Sequence, residues 1–386
     1  MPDDPTASSA LSPVHDHPGD PAEPSDGVAL CLSGGGYRAM LFHLGTLWRL
    51  NELHYLPTLD RISSVSGGSI TNGVLALNWS KLGFDANGFA VNFDKQVTQP
   101  LRNMASQSID VSSVITGLFG GIAKKIADHY NQFLFNHAKL QDLPDAPRFV
   151  FNATSLQTGV LWRFSKPYMG DYKVGLVKKP DLELATAVAA SSAFPPVLSP
   201  VVLQLDPNSF DNTTVPPPQI TDPNFRKQIV LCDGGVYDNL GLETAWKQNK
   251  TVLISDGGGA LEGESDPAKD WLGQTNRVLM VIYNQVSALR KRAIIELYTN
   301  GTRDGSYWGD GTNILNYQLA DALVCPFDVT TKLAQTATRL TRMDDPLQNQ
   351  LIDWGYAVCD AAMRKHVLPP GAPAPQSSPY GTFKRP

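Results

Sequence analysis

A chain of 386 residues, 42% hydrophobic and 18% charged, has the material for a large buried core, in one big α/β domain or two of ordinary size. Its formal net charge of -5, from Asp+Glu 37 against Lys+Arg 32, argues against a broad nucleic-acid surface, and no apolar run reaches the length of a membrane span. The four cysteines, Cys31, Cys232, Cys325 and Cys359, form no CxxC pair, and there is no HExxH or Cys/His cluster; they read as small buried hydrophobes in a reducing compartment, with no metal site and no cofactor expected.

Residues 1–26, "MPDDPTASSALSPVHDHPGDPAEPSD", are acidic and proline-rich and lack the basic start and apolar core of a signal peptide. They predict a disordered tail, and with it a cytoplasmic chain that meets membranes peripherally if at all. The domain starts at "GVALCLS" (27–33), a β-like run. A glycine cluster follows, then a helix in which Met40, Leu44, Leu47 and Leu50 recur at steps of three and four. The stretch "DRISSVSGGSITNG" (60–73) repeats this strand, glycine turn and helix, an α/β pattern.

Residues 81–147 are less regular. Within them 112–135 is apolar with a Lys124–Lys125 pair, and reads either as an interfacial helix that meets lipid or as a cap helix packed on the core. β-like runs resume at 148–154 and 160–165, and a small-residue helix ends at Pro195–Pro196. Residues 206–226 form a polar loop rich in Pro, Asp and Asn. Two further strands run into "DGGVYDNLG" (233–241) and "DGGG" (256–259), and helices follow over roughly 276–299 and 346–366. One domain, 27–366, between the acidic tail and a Pro-rich C-terminal tail, 367–386, is the organisation expected.

Chemistry concentrates at strand ends marked by glycine, because ligands of open α/β sheets bind beyond the carboxyl ends of strands. In "SGGGYR" (33–38) three glycines bare backbone N–H groups that can face an oxyanion or a phosphate, and Arg38 adds a permanent charge. The Walker and GxGxxG spacings both fail, and a structural turn is the plain alternative. In "SVSGGS" (64–69) a serine exposed on a tight strand-to-helix turn needs small residues two before and two after. Ser66 meets this, with Ser64 before it and Gly67–Gly68 after; the plain alternative is a Ser/Gly helix cap.

The base for such a serine is harder to find. Of seven histidines only His366 follows in the order serine, acid, histidine, and it sits at the end of the last helix. Asp233 ends a strand ahead of two glycines and can take a serine proton if burial raises its pKa. Asp256 has the same setting, and the residues alone do not separate the two.

Taken together and in order, "SGGGYRAM", "SVSGG" and "DGGVYDNLG" resemble the patatin-like phospholipase family, whose core is similar to cytosolic phospholipase A2 and whose pattern is GGGxR, GxSxG and DGG or DGA. "FNATSLQTG", "AVAASSAFPPVLSP" and "WGYAVCDAAMR" look like its bacterial branch, so that the resemblance covers roughly 27–366. It implies an α/β/α sandwich with a mostly parallel central sheet and a Ser–Asp dyad. Carried over, Ser66 is the nucleophile and Asp233 its base. Backbone N–H groups of Gly35 and Gly36 hold the oxyanion, Arg38 supports that loop or a substrate phosphate, and Asp256 is structural. Ser64 replaces the first glycine of the elbow, and Ala39 a glycine that often follows the arginine; both are small.

The expectation is a lipid acyl-ester hydrolase of phospholipase A, lysophospholipase or lipase type, working through an acyl-enzyme without a cofactor. Its partner is lipid, with 112–126 and 206–226 as candidates for the lipid-facing rim, and no nucleic acid. Two alternatives stand beside it: a catalytically silent lipid- or anion-binding protein, and a Ser–His hydrolase using His366.

Overall fold

The computed structural model describes residues 24–109, 121–214, 217–259, 261 and 263–386. In chain order the strands are β1 (Ser25–Leu32), β2 (Leu59–Ser64), β3 (Arg148–Ser155), β4 (Leu161–Phe164), β5 (Tyr168–Asp171), β6 (Gly175–Lys178), β7 (Val201–Gln204), β8 (Phe210–Asp211), β9 (Gln228–Asp233), β10 (Asn249–Asp256) and β11 (Asp304–Gly309). The helices are α1 (Gly36–Glu52), α2 (Gly67–Asn78), α3 (Gln99–Ala105), α4 (Gly121–Tyr130), α5 (Leu184–Ser191), α6 (Pro223–Lys227), α7 (Gly235–Asp238), α8 (Glu243–Trp246), α9 (Trp271–Thr299), α10 (Phe327–Ala334) and α11 (Asp345–His366).

One mixed sheet carries all the strands. It is parallel across β11–β10–β1–β2–β3 and antiparallel from β4 to β8, and β9 joins the end of β3 antiparallel, with β7 beyond it. Successive residues of a strand face opposite sides, and β1 shows what each side is for. Leu30 and Leu32 enter the larger core with α1 and α11, while Ala29 and Cys31 enter a smaller one with Leu240, Leu242, Ala245 and Ile294. With helices over both faces the sheet must be apolar on both, and the fold is an α/β/α sandwich. All four cysteines are buried and free.

Three stretches differ from what the sequence suggests, and in a fourth, 112–135, the described helix α4 packs as the cap-helix reading expects. α9 begins at Trp271 instead of near 276, because the Asp270 side chain caps it by accepting the Gly273 N–H at 2.9 Å. The polar loop 206–226 contains β8, in which Phe210 is buried and pairs with Val177, and the short helix α6; its residues 215 and 216 lie outside the described residues. In the 112–135 region, 112–120 also lie outside them, as do residues 1–23 of the acidic tail. α4 buries Ala123, Ile126 and Tyr130, packs against α5, and leaves its lysines exposed, with Lys124 paired to Asp128. Lastly, the segment after α11 folds back on the domain: Asp353 accepts the N–H groups of Tyr380 and Thr382, both at 2.9 Å, and Phe383 packs on Trp354. Among the described residues no helix is long and apolar enough to cross a membrane.

Candidate active site

The carboxyl ends of β1 and β2 lie side by side, and each runs through glycine into a helix. Between β2 and α2 the backbone of Ser66 takes φ 51 and ψ -121, a conformation that costs a non-glycine residue of order 1–3 kcal/mol and persists only where its surroundings enforce it. The enforcement is steric. A Cβ on Gly67 would strike the Gly36 carbonyl oxygen, and one on Gly68 would strike the carbonyls of Leu32 and Ser33. Only glycine lets the two turns touch, and the contact sets Ser66 beside the Gly35–Gly36 loop.

Polar contacts complete the enforcement. The Ser66 N–H donates to both the carbonyl and the hydroxyl oxygen of Ser191, at 3.1 and 3.0 Å. Ser191 Oγ donates in turn to the Asn152 carbonyl at 2.6 Å and lies 2.8 Å from Ser69 Oγ. Ser64, in the place of the missing glycine, turns its hydroxyl into this network, 2.9 Å from Ser69 Oγ, donating to the Val150 carbonyl and accepting from Asn72. Its side chain is thus buried and satisfied within the fold.

The loop after β1 offers free donors. Gly34 N–H is taken by the Asn239 carbonyl and Tyr37 N–H by that of Arg339, both at 3.1 Å. The N–H groups of Gly35 (φ 147) and Gly36 (φ 59) between them have no acceptor among the described residues. Arg38, expected to support this loop or a substrate phosphate, makes its contacts with neighbouring segments. The buried guanidinium donates to the Gly257 carbonyl at 3.1 and 3.2 Å, pairs with Asp310 at 3.3 Å, and holds the Thr336 carbonyl.

Asp233 arrives on β9, which runs antiparallel to β3, so its end meets those of β1 and β2 from the opposite direction. Its main chain is pinned by the Ala193 carbonyl (2.8 Å) and the Thr154 hydroxyl (2.8 Å). Oδ1 accepts the Gly235 N–H at 2.7 Å, while Oδ2 is buried with no hydrogen bond of good geometry among the described residues. Burial pushes this carboxyl up to about 7, and the Gly235 N–H and the Ser66 hydroxyl only partly pull it back.

The other candidates are engaged elsewhere. Burial alone would raise the Asp256 carboxyl, but Lys291 at 2.5 Å, the Tyr307 hydroxyl at 2.7 Å and the Gly258 N–H together hold it below the usual range. His43 is buried in α1, donating from Nε2 to the Ser33 carbonyl and accepting at Nδ1 from Ser255, and burial lowers it to about 4. His366 packs its ring on Tyr317 at the end of α11. No histidine is among the described residues lining the cavity into which Ser66 opens.

That cavity measures about 680 Å³. Gly35, Gly36, Ser66 and Asp233 share one wall, Phe194–Leu198 and Met280 supply apolar walls, and the strap 338–341 closes another side with Arg339 exposed along it. An apolar cleft with a few convergent polar groups is the usual form of a small-molecule site. A buried carboxyl with its pKa raised to about 7 beside a strained hydroxyl, with two unused N–H groups in the adjoining turn, can move a proton and hold a developing oxyanion. Sequence reasoning passed over Ser191, Asn152, Asn239 and the 338–341 strap. Ser191 lies in "AVAASSAF", where a run of small residues was the available signal; the strap carries none.

A family model described as patatin-like phospholipase matches residues 30–246. Among solved structures the chain is similar to human GIVD cytosolic phospholipase A2 in complex with methyl gamma-linolenyl fluorophosphonate, at 12% identity and a TM-score of 0.47, over 87% of this chain and 57% of that one. It is also similar to VipD from Legionella pneumophila, at 14% identity and a TM-score of 0.32, over 88% of this chain and 66% of that one. The chain therefore spans little more than half the length of the phospholipase A2 chain. Among curated proteins no sequence matches.

Proposed function

The chain belongs to the patatin-like phospholipase family, and from that premise we propose that it is a lipid acyl-ester hydrolase in which Ser66 is the nucleophile and Asp233 its base. The observation that carries this reading is Asp233 Oδ2, buried with no hydrogen bond of good geometry among the described residues yet close enough for the Ser66 hydroxyl to act on the carboxyl, in the same cavity as that serine held at positive φ. As Ser66 Oγ bonds to the ester carbonyl carbon, its proton passes to Asp233, and the carbonyl oxygen becomes an oxyanion facing the Gly35 and Gly36 N–H groups. Collapse breaks the bond to the alcohol, which leaves with the proton from Asp233, and Ser66 keeps the acyl group. Water then attacks the acyl-enzyme, giving its proton to Asp233, and the free acid departs as Ser66 Oγ is reprotonated.

The apolar walls at Phe194–Leu198 and Met280 suit an acyl chain. Arg339, exposed on the strap, suits the phosphate of a phospholipid. Treatment with an alkyl fluorophosphonate is the direct test. We expect one adduct, on the peptide containing Ser66, lost in Ser66→Ala. A folded protein that takes no label there would sink the hydrolase reading and leave a lipid- or anion-binding protein on the same fold.

A further inference from the structure

We propose that α9 docks the protein on a lipid surface, through an apolar stripe that backs directly onto the wall of the cavity; the inference rests on the reading of the substrate as lipid. α9 is 29 residues long, yet only Ser287 and Ile294 of it are buried. Trp271, Val278, Ile282 and Leu289 recur at steps of seven, four and seven, which at 3.6 residues per turn makes a single stripe. They are 81%, 57%, 53% and 52% exposed. Asn276, Met280 and Tyr283 lie on the opposite side of the same helix and line the cavity. The helix thus has two apolar sides, and the fold covers only one.

Three observations point to lipid as the occupant of the open side. First, from Trp271 to Ile295 the helix has no acidic residue, the exposed Glu296 coming only after Leu289 near the anchored end. The exposed positions flanking the stripe include Gln274, Thr275, Gln285 and the cationic Arg292, so no carboxylate between Trp271 and Leu289 has to leave water when the stripe is buried. The cations Arg277, Arg290 and Lys291 are paired with Glu264, with Asp238 and Glu243, and with Asp256.

Second, the other side of the same helix meets apolar surface at the cavity, so the stripe and the cavity share one element. Tyr283 packs against Phe194 across the rim, with ring centroids 6.0 Å apart, and the neighbouring Val197 is itself 51% exposed. Third, the helix is anchored at its far end, where Arg290 and Lys291 make their ion pairs, Ile294 enters the smaller core and the Tyr298 hydroxyl donates to the Val252 carbonyl at 2.7 Å. The stripe projects from a fixed base, with an indole at its tip, a side chain suited to the boundary between water and lipid.

Flotation of the full chain with vesicles of phosphatidylcholine, alone and with phosphatidylglycerol added, tests this. We expect the wild-type protein to float with both, and Trp271→Ser/Val278→Ser/Ile282→Gln to lose the bound fraction by about tenfold or more, since each apolar side chain removed from lipid weakens partition. Hydrolysis of a soluble short-chain p-nitrophenyl ester should stay within about twofold of wild type, since none of the three residues lines the cavity. A single Val278→Gln variant gives the same reading with a smaller perturbation. Flotation of the triple variant equal to wild type, or a wild type that does not float, overturns the docking proposal. So does a wild-type dimer in light scattering that the triple variant turns into a monomer, which makes the stripe an interface between copies. Flotation without any ester hydrolysis by wild type instead overturns the enzymatic reading and leaves the docking surface standing.

Discussion

β9 and β10 each end in an aspartate followed by two glycines, at 233–235 and 256–258, and both aspartates are buried. Both accept a backbone N–H from the glycines that follow: Gly235 on Asp233 and Gly258 on Asp256. There the likeness stops. Lys291 and Tyr307 converge on Asp256 and keep it ionised, whereas Asp233 faces the cavity with one oxygen unpaired and a pKa raised to about 7. α9 supplies both outcomes, giving Lys291 to one aspartate and the cavity-lining Tyr283, whose ring carries no positive charge, to the neighbourhood of the other. A partnered carboxylate holds structure together; an unpartnered one is available to take a proton.

The largest effects should come from exchanging these roles. Asp233→Asn and Ser66→Ala are each expected to lower kcat/KM for an ester by about a thousandfold or more, since each removes a group acting on the transferred proton or the attacked carbon. Asp256→Asn should act on stability first. It leaves the half-buried Lys291 ammonium without its nearest counter-ion; a fully buried pair broken in this way loses roughly 3–5 kcal/mol, and this partly solvated one loses less, read as a lower denaturation midpoint. An Asp256→Asn protein as stable as wild type but inactive would reverse the assignment of the two aspartates.

pH separates them next. A base that must be ionised makes kcat/KM climb with pH and level off above about 7, the value to which burial lifts Asp233. A profile flat across neutral pH would show that this carboxyl is not the base. Stability should run the other way. Folded Asp233 holds its proton up to about 7 while the unfolded chain releases it near the ordinary value of 3.8, so the group's contribution is present below that value and is lost as pH rises through about 7. Asp233→Asn removes this loss. Its melting temperature should exceed wild type by the widest margin above pH 7, and by little near pH 4. Asp310, also raised to about 7 by burial, is common to both proteins and cancels in the difference.

These contrasts also mark where sequence reasoning reaches. The strand, glycine and helix order of 27–52 and 59–78 is local, and local rules read it. The test of small neighbours singles out Ser66, and Ser66 is the residue at positive φ between β2 and α2. The choice between Asp233 and Asp256 is not local, because the deciding partner, Lys291, stands on a helix formed much later in the chain. Only the resemblance of "DGGVYDNLG" to a family motif separated them. Ser64 looked like a departure from the elbow pattern because its hydrogen bonds to Ser69, Val150 and Asn72 arise only once β2, β3 and α2 have packed. The C-terminal segment reads as a tail by composition, and what pins it lies far away in the chain: Asp353 and Trp354 on α11, and Arg49 on α1, which donates to the Pro373 carbonyl.

The same reach limits the reading of Arg339, the subject of the smallest effect. Nothing in "TATRLT" marks it, yet its carbonyl accepts the Tyr37 N–H, and Leu340 beside it accepts the Ile109 N–H at 3.0 Å, so its main chain is fixed against the Gly35–Gly36 loop. Among the described residues lining the cavity it is the cationic one. Because it is exposed, its attraction for a phosphate is screened by water and salt, and Arg339→Gln is expected to lower kcat/KM for a phospholipid by only about tenfold. A neutral p-nitrophenyl ester should be cleaved as by wild type, Arg339→Lys should recover part of the loss, and added salt should narrow the gap between wild type and variant. An equal fall on both substrates would mean that Arg339 acts by holding the loop. The cavity would then recognise its substrate by the acyl chain alone, and the contrast between the two aspartates would account for the chemistry without accounting for the choice of lipid.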